Sequence, residues 1–281
     1  MSEEQKIMDE PVVPGKSNAG PGDPAQTKTR LHLSHDGLFK GAFYNQHLAE
    51  SFARENLPVE ITRDLDFSSM IRDEDTFVDQ KLAHCYADVL YRIRYKDRPA
   101  YLYYLFEHKS WEPDFPALQL LKNMVFIWEK QARKNIELKK QDPGQEGYKK
   151  KELKTLPPII PLLIYHGESE WKADTNFRAL FDIPPILEKY IPGFSYEKYD
   201  VSHLPEEQII KGVVELRIVL MAFRYIFQPE IISRLKDIFQ LFKELPGKTE
   251  FEEYLKMLLI YLGSNIKDVK PEKVREAMEK A

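Results

Sequence analysis

Two neighbouring runs, Tyr86-Ala-Asp-Val-Leu-Tyr-Arg-Ile-Arg-Tyr95 and Tyr101-Leu-Tyr-Tyr-Leu-Phe-Glu-His-Lys109, decide the fold of this chain. Both runs are rich in β-branched and aromatic residues, which favour strands. The Lys96-Asp-Arg-Pro99 segment between them has the residue types of a turn. The sequence therefore predicts two antiparallel strands paired as a hairpin.

A third strand is predicted further along the chain. Pro158-Ile-Ile-Pro-Leu-Leu-Ile-Tyr165 is a short, continuously apolar run, which is typical of a strand buried on both faces. Apolar residues at helical spacing predict helices over 36–55, 116–134, 179–190, 205–227, 229–245 and 249–262. This order indicates an α/β core with an α-helical C-terminal extension.

Side-chain periodicity also predicts which faces are apolar. Leu118, Leu121, Val125 and Trp128 fall on one face of the helix at 116–134. Asp36 could form a catalytic pair with His35, but it is also a good N-cap for the first helix, which is the interpretation we favour. His166, directly before Gly167, is expected in a turn after the apolar strand.

The composition excludes several classes of protein. With 281 residues, 43% of them hydrophobic, the chain can bury a substantial core. Its single cysteine, Cys85, excludes a disulfide framework and a Cys-rich zinc site. No run reaches about 18 apolar residues, and the first 30 residues lack the apolar centre of a signal peptide. We therefore expect a cytoplasmic protein that does not bind membranes.

Charge is unevenly distributed along the chain. The net charge of −4 argues against a general polyanion binder but permits a local basic groove. The segment 130–155 contains nine basic and four acidic side chains. It is either a solvated, partly disordered loop or an arm that contacts phosphate groups. Residues 1–30, rich in Pro and Gly, are predicted to form a disordered tail.

The candidate chemistry lies at the ends of the hairpin strands. Side chains alternate along a strand, so Glu107 and Lys109 share a face, and the hairpin brings Asp88 beside Glu107. Two carboxylates suit a hard cation such as Mg²⁺. The lysine can orient a water molecule and neutralise charge that develops on a phosphate. The alternative is a solvated and inert pair of Asp or Glu with Lys at the end of the sheet.

The chain resembles the recombination-promoting nucleases, or YhgA-like transposases, of the PD-(D/E)XK nuclease superfamily. Five strings carry the resemblance, and they occur in family order over roughly residues 31–230: His35-Asp-Gly-Leu-Phe-Lys40, Tyr86-Ala-Asp-Val-Leu-Tyr91, Leu105-Phe-Glu-His-Lys-Ser110, Ala117-Leu-Gln-Leu-Leu-Lys122 and Ile160-Pro-Leu-Leu-Ile-Tyr-His-Gly167. The resemblance implies a metal-dependent DNA endonuclease. Its core would be a helix, a three-stranded meander, a helix and a strand.

The resemblance also implies roles for individual residues. Asp88 matches the metal-binding aspartate, and Glu107 matches the second acidic ligand. Lys109 matches the lysine of the E-x-K element, and Gln119 matches a glutamine of the following helix. With the backbone carbonyl of His108, the two carboxylates would hold Mg²⁺, Mn²⁺ or another divalent cation.

Other features of the family pattern are weaker in this chain. Glu50, on the first helix, is a further acidic candidate without a motif of its own. Where the family has an aromatic residue after the glutamine string, this chain reads Lys122-Asn-Met124. The imidazole of His108 falls on the strand face opposite Glu107 and is expected to be a core or supporting side chain.

Two functional hypotheses follow for a chain organised as a tail (1–30), a nuclease-like domain (31–230) and a helical extension (231–281). The first is Mg²⁺-dependent hydrolysis of DNA phosphodiesters. The second is a catalytically inactive protein of the same fold that acts as a DNA- or protein-interaction module. Its arguments are the net negative charge and the helical extension, which could dock a partner or form a homo-oligomer.

Overall fold

A mixed α/β architecture is built around a central sheet in the computed structural model, which describes residues 34–73, 88–108, 115–141, 154–245 and 247–266. Within these residues the sheet has five strands in the order β1-β2-β3-β4-β5. The strands are β1 (Leu65–Arg72), β2 (Asp88–Tyr95), β3 (Arg98–His108), β4 (Ile159–His166) and β5 (Glu197–Asp200). β1, β2 and β3 are antiparallel, whereas β4 and β5 run parallel to β3.

The helices cover both faces of this sheet. They are α1 (His35–Phe43), α2 (Gln46–Asn56), α3 (Val59–Thr62), α4 (Pro116–Gln141), α5 (Glu206–Ile209), α6 (Val214–Tyr225), α7 (Ile231–Leu241) and α8 (Lys248–Asn265). None of these helices combines the length and apolarity that crossing a membrane requires. All described residues belong to one unit of the chain, His32–Ala281. The predicted tail (1–30) lies outside the described residues, as do 142–153 of the basic segment and 267–281 of the predicted extension.

The predicted hairpin is confirmed, and its turn is tighter than expected. The register runs without interruption from Asp88 opposite Leu105 to Tyr95 opposite Arg98. Only Lys96 and Asp97 connect the strands, with φ angles of 47° and 62°. Two successive residues in the left-handed region match the twist of a two-residue hairpin.

Asp64 holds this turn from the neighbouring chain segment. The Lys96 backbone N–H donates to the Asp64 carbonyl over 3.0 Å, and the ammonium of Lys96 lies 3.0 Å from the Asp64 carboxylate. This side-chain contact raises the pKa of Lys96 and lowers that of Asp64. The unfavourable positive φ of Lys96 is therefore accompanied by two stabilising contacts with Asp64.

The strand pattern sorts the core into two layers. Leu102, Tyr104 and Phe106 of β3 face the layer built by α1, α2 and α6–α8, which includes Leu235 of α7 and Tyr261 of α8. The alternate residues of β3 pack with α4 in the second layer; they are Tyr101, Tyr103 and Leu105. β4 also contributes to both layers, as predicted for a strand buried on both faces.

The single helix predicted over 36–55 is interrupted in the structure. The chain forms two helices, and Asn45 starts the second by accepting a hydrogen bond from the His47 N–H. Asparagine is among the preferred N-caps, and this local bond begins a new helix at Gln46 after the first has ended at Phe43. Ser34, rather than Asp36, caps α1 by accepting from the Gly37 N–H.

Other boundaries differ for similar local reasons. The predicted helix at 179–190 is replaced by two 3₁₀ turns, Phe177–Leu180 and Pro185–Tyr190. The Pro184-Pro185 pair cannot continue a helix from the preceding turn. The predicted helix at 205–227 is divided into α5 and α6 near Gly212, whose φ of 83° is incompatible with a right-handed helix. The pattern of apolar residues did not predict β1 or β5.

Buried tyrosine hydroxyls connect the sheet to the paired helices α1 and α2. Tyr91 donates to the Phe43 carbonyl over 2.8 Å, and Tyr104 donates to the Ala49 carbonyl over 2.7 Å. Tyr199 of β5 donates to the Asn56 carbonyl over 2.6 Å. Burial raises the pKa of each of these tyrosines, so the hydroxyls remain protonated donors. These bonds explain why strands facing an apolar layer contain tyrosine rather than only phenylalanine.

Replacing Tyr104 with phenylalanine tests this account. We expect Tyr104→Phe to lower the free energy of unfolding by about 1–2 kcal/mol, because it deletes a buried hydrogen bond and leaves the Ala49 carbonyl without its hydroxyl donor. Urea unfolding followed by circular dichroism measures the change. Tyr190→Phe is the matched control, since that side chain is 70% exposed. Equal stability of the two variants would contradict the role of the hydroxyl.

Candidate active site

The C-terminal end of β3 presents Glu107 to the face covered by α4. Glu107 is only 7% exposed. Gln119, in the first turns of α4, donates from Nε2 to Oε2 of Glu107 over 3.5 Å, a long hydrogen bond. Strand alternation gives Glu107 this direction, and the position of Gln119 in α4 lets its amide reach the strand end. The structure thus brings two of the predicted side chains together.

Asp88 is the first residue of β2, and its Cα lies opposite that of Leu105. Leu105 and Glu107 are two residues apart and share a face of β3, so the backbone of Asp88 lies diagonally across from that of Glu107. Lys109 lies outside the described residues.

A row of amide side chains on α4 faces β3. Besides the pair of Gln119 and Glu107, Asn123 donates to the Tyr103 hydroxyl over 2.7 Å. Tyr101 donates to Oε1 of Gln131 over 3.0 Å. Each polar group of β3 on this side therefore has an amide partner, and α4 is held in one rotational position.

The amide row lies beside an apolar face of α4 that was predicted correctly only in part, since Leu121 and Trp128 pack against the core as expected. Leu118 is 50% exposed and Val125 is 42% exposed. The helix instead buries Ala117, Leu120, Met124 and Ile127, with Asn123 among them. The four-residue spacing of Gln119 and Asn123, together with a tyrosine-rich strand, could have indicated this buried face. Amide side chains can be buried in a helix when tyrosine hydroxyls form hydrogen bonds with them.

A second buried carboxylate lies at the same end of the sheet on β5. Asp200 is 8% exposed and is opposite Tyr165, which is in turn opposite Glu107. The backbone N–H of Trp171 donates to one oxygen of Asp200 over 3.0 Å, and His203 donates from Nδ1 to the other over 2.9 Å. Both oxygens therefore have structural partners, and Asp200 anchors the loop that follows β4.

Two further sequence candidates lie away from Glu107. Glu50 is on α2, on the opposite face of the sheet, and forms an ion pair with Arg54 at 2.7 Å. His166 was expected in a turn, but it is the last residue of β4 and is fully buried. The parallel pairing of His166 with His108 extends the strand to that position.

Basic side chains outnumber acidic ones around a cavity at the other end of the α4 face. The cavity has a volume of about 520 Å³, and its lining includes four basic side chains and two acidic ones: Arg92, Lys130, Arg133, Lys134, Asp73 and Glu137. Within the described residues, Nζ of Lys130 is buried without a hydrogen-bond partner. The cavity also contacts Tyr101, six residues before Glu107 along β3, a separation of roughly 20 Å. A local basic groove thus exists on the same face as Glu107.

Comparison with known proteins places this architecture in a family. Residues 33–253 match the family model described as "Putative transposase, YhgA-like". The chain belongs to this family. The match includes the whole sheet and continues past residue 230 into α8.

Curated relatives of this family member come from Escherichia coli. The chain is 26% identical to recombination-promoting nuclease RpnA of strain K12 over 66% of its own length and 58% of the relative's. It is 25% identical to recombination-promoting nuclease RpnD of O157:H7, over 63% and 62%. It is 25% identical to the K12 "inactive recombination-promoting nuclease-like protein RpnE", over 66% and 56%. The chain thus spans about six tenths of the length of these relatives, and no solved structure matches it.

The structural role of Asp200 can be separated from the candidate site. We expect Asp200→Asn to lower the free energy of unfolding by about 1–2 kcal/mol, because an amide has one acceptor oxygen for two donors. Thermal and urea unfolding of the purified chain measure this. Asp182→Asn, at an exposed position, should leave stability unchanged. Wild-type stability of Asp200→Asn would show that the loop does not depend on this carboxylate.

Proposed function

We propose that this chain is a metal-dependent DNA endonuclease with a PD-(D/E)XK nuclease core. The observation that carries the proposal is the nearly buried Glu107 carboxylate at the end of the central strand, held by the Gln119 amide. Its family relatives RpnA and RpnD are named recombination-promoting nucleases. We assign the site to Asp88, Glu107, Lys109 and Gln119.

The order of elements supports this core. A helical pair precedes three antiparallel strands, which are followed by α4 and by β4 parallel to β3. The PD-(D/E)XK core implied by the sequence resemblance has the same order of helix, three-stranded meander, helix and strand. In that arrangement the acidic residues belong to β2 and β3, which is where Asp88 and Glu107 stand.

The donor set suits a hard divalent cation. The carboxylates of Asp88 and Glu107 and the His108 carbonyl are oxygen donors, which Mg²⁺ and Mn²⁺ prefer. When bound, such a cation supplies a more acidic water molecule and compensates charge on the phosphate. Gln119 orients Glu107 by donating to one carboxylate oxygen. Lys109 is assigned to hold the attacking water and to offset negative charge on the phosphate oxygens.

DNA is the proposed partner, and the basic cavity supports it. Arg92, Lys130, Arg133 and Lys134 lie on the α4 face, roughly 20 Å from Glu107 along β3. Phosphates of a duplex that passes over this face could contact the exposed Arg92, Arg133 and Lys134 while one phosphodiester lies at Glu107. A local groove of this kind reconciles DNA binding with a net charge of −4.

A catalytically inactive interaction module is the second candidate. The relatives RpnE and YjiP are named as inactive nuclease-like proteins. Inactive members with the same fold would retain the sheet and its amide row but not cleave DNA. Cleavage assays separate the two candidates directly.

Plasmid nicking in the presence of Mg²⁺ tests the enzyme. We expect wild type to nick supercoiled DNA, and Asp88→Ala or Glu107→Gln to lose nearly all cleavage because each removes a carboxylate ligand. Lys109→Ala should reduce cleavage by about 10²-fold or more, the scale for deleting one preorganised electrostatic contact. Both Asp88→Ala and Lys109→Ala should melt close to the wild-type temperature.

Glu188→Gln provides the matched control, because it removes one carboxylate from an exposed 3₁₀ turn. It should cleave as wild type does. Equal nicking by all variants would assign the activity to a contaminant or to another site. Absence of nicking by wild type with Mg²⁺ and with Mn²⁺ would favour the interaction module.

The basic segment yields a separate prediction about affinity. Replacing Lys149, Lys150 and Lys151 with alanine should weaken DNA binding and flatten its log–log salt dependence by up to about 2.7, if all three contact duplex phosphates. Fluorescence anisotropy at several salt concentrations measures the slope. Alanine at the exposed Lys189, Lys211 and Lys236 removes the same charge elsewhere and serves as control. An unchanged slope would identify the segment as a solvated loop.

A further inference from the structure

Three histidines from distant parts of the chain meet on the sheet face opposite Glu107. His35 is the first residue of α1, His108 is the last of β3, and His166 is the last of β4. One nitrogen of each ring lies within 4.8 Å of one nitrogen of each other ring. The ring centroid of His35 is 3.9 Å from that of His108 and 4.7 Å from that of His166. Among the described residues, no other His, Cys, Asp or Glu side chains form such a group of three.

Hydrogen bonds fix the orientation of each ring. Nδ1 of His108 donates to the His166 carbonyl over 2.8 Å, and Nε2 of His166 donates to the Phe223 carbonyl over 3.1 Å. Because a carbonyl can only accept, these nitrogens carry protons, and in the neutral form of an imidazole the other ring nitrogen has a lone pair. Nδ1 of His35 bonds to the Tyr261 hydroxyl over 2.8 Å.

The lone pair of His166 is the strongest sign that a ligand belongs here. The residue is fully buried, and its Nδ1 has no hydrogen-bond partner among the described residues. Burial, reinforced by the neighbouring His35 and His108, lowers the pKa of His166 well below its ordinary value. The ring therefore stays neutral at neutral pH, which is the form that binds metal ions.

We propose that His35, His108 and His166 form a transition-metal site, with Zn²⁺ as the representative ion. The ligands would be Nε2 of His35, Nε2 of His108 and Nδ1 of His166. Imidazole nitrogens suit Zn²⁺, Cu²⁺ and Ni²⁺, whereas the oxygen donors at Glu107 suit Mg²⁺. The imidazole site therefore differs in chemistry from the proposed catalytic site and lies on the opposite face of the sheet, although His108 contributes its ring to the first and its backbone carbonyl to the second.

The geometry is close to what coordination requires. Zn–N distances of about 2.0–2.1 Å in a tetrahedral site place ligand nitrogens about 3.3 Å apart, whereas one nitrogen of each ring already lies within 4.8 Å of one nitrogen of each of the others, a difference of at most about 1.5 Å. In each ring the other nitrogen already bonds to an oxygen, the arrangement that orients metal-binding histidines. Three protein ligands leave a fourth position for water, and His35 and His108 are only partly buried, so an ion can enter.

The surroundings of the cluster favour a structural role for the ion. The ring of Phe227 stacks on His166 with centroids 4.7 Å apart, and Phe223 lies at 4.8 Å. The two phenylalanine rings limit the access of water to the histidine nitrogens. An ion at this position would link α1 to the ends of β3 and β4, and through the bond from His35 to Tyr261 it would also link α8.

Metal titration of the whole chain tests the site. After chelation and dialysis, wild type in excess Mg²⁺ should bind one equivalent of Zn²⁺ by calorimetry, and Co²⁺ should give the visible absorption bands of a low-coordinate site. His35→Gln and His108→Gln should each weaken Zn²⁺ binding by on the order of 100-fold or more, since each deletes a ligand. His47→Gln, an exposed histidine of α2, is the matched control and should bind as wild type does.

Two further measurements keep the test independent of nuclease activity and of folding defects. Glu107→Gln should bind Zn²⁺ normally, because the carboxylate site is separate. Zn²⁺ should raise the melting temperature of wild type and Glu107→Gln, but not that of the two histidine variants. Absence of stoichiometric binding by wild type, or equal binding by the histidine variants, would overturn the proposal.

Discussion

β3 is covered on both faces and paired at both edges, and this constraint governs the rest of the structure. β2 and β4 satisfy its backbone groups, while α1 and α2 on one side and α4 on the other bury its side chains. Every polar side chain in such a strand needs a partner, because an unsatisfied buried group is costly. Tyr104 finds a helix carbonyl and Glu107 finds an amide of α4. The partners of β3 thereby determine where the flanking helices lie.

The same alternation separates two kinds of chemistry at one strand end. Consecutive residues of a strand point to opposite faces, so Glu107 and His108 meet different environments although they are neighbours in sequence. The amide of Gln119 contacts the Glu107 carboxylate, whereas imidazole and aromatic rings surround the ring of His108. Ligand hardness, rather than distance along the chain, would then decide which ion occupies which face.

Much of the fold could be predicted from periodic apolar residues, and the exceptions have local causes. The hairpin and β4 are strongly patterned, whereas β5 has only four residues and the polar–apolar alternation of β1 breaks at Ser68-Ser69, where its register with β2 also shifts. The apolar face of α4 was predicted only in part, with Leu121 and Trp128 right and Leu118 and Val125 wrong, because buried amides look polar in sequence. For the candidate site, the sequence predicted Glu107 with Gln119, but it gave no sign that His35, His108 and His166 meet. Such long-range contacts depend on the packing of α1 against the strand ends.

The parallel pairing of β3 with β4 also has a consequence for biosynthesis. The partner strand begins at Ile159, about fifty residues after β3 ends, and the layer over Phe106 is completed only by α6–α8. When synthesis has reached α4, β3 therefore has one unpaired edge and one incompletely covered apolar face. Exposed edges of this kind are prone to association between nascent chains. The topology thus requires that β3 be shielded during translation, either by a chaperone or by rapid synthesis of the last helices.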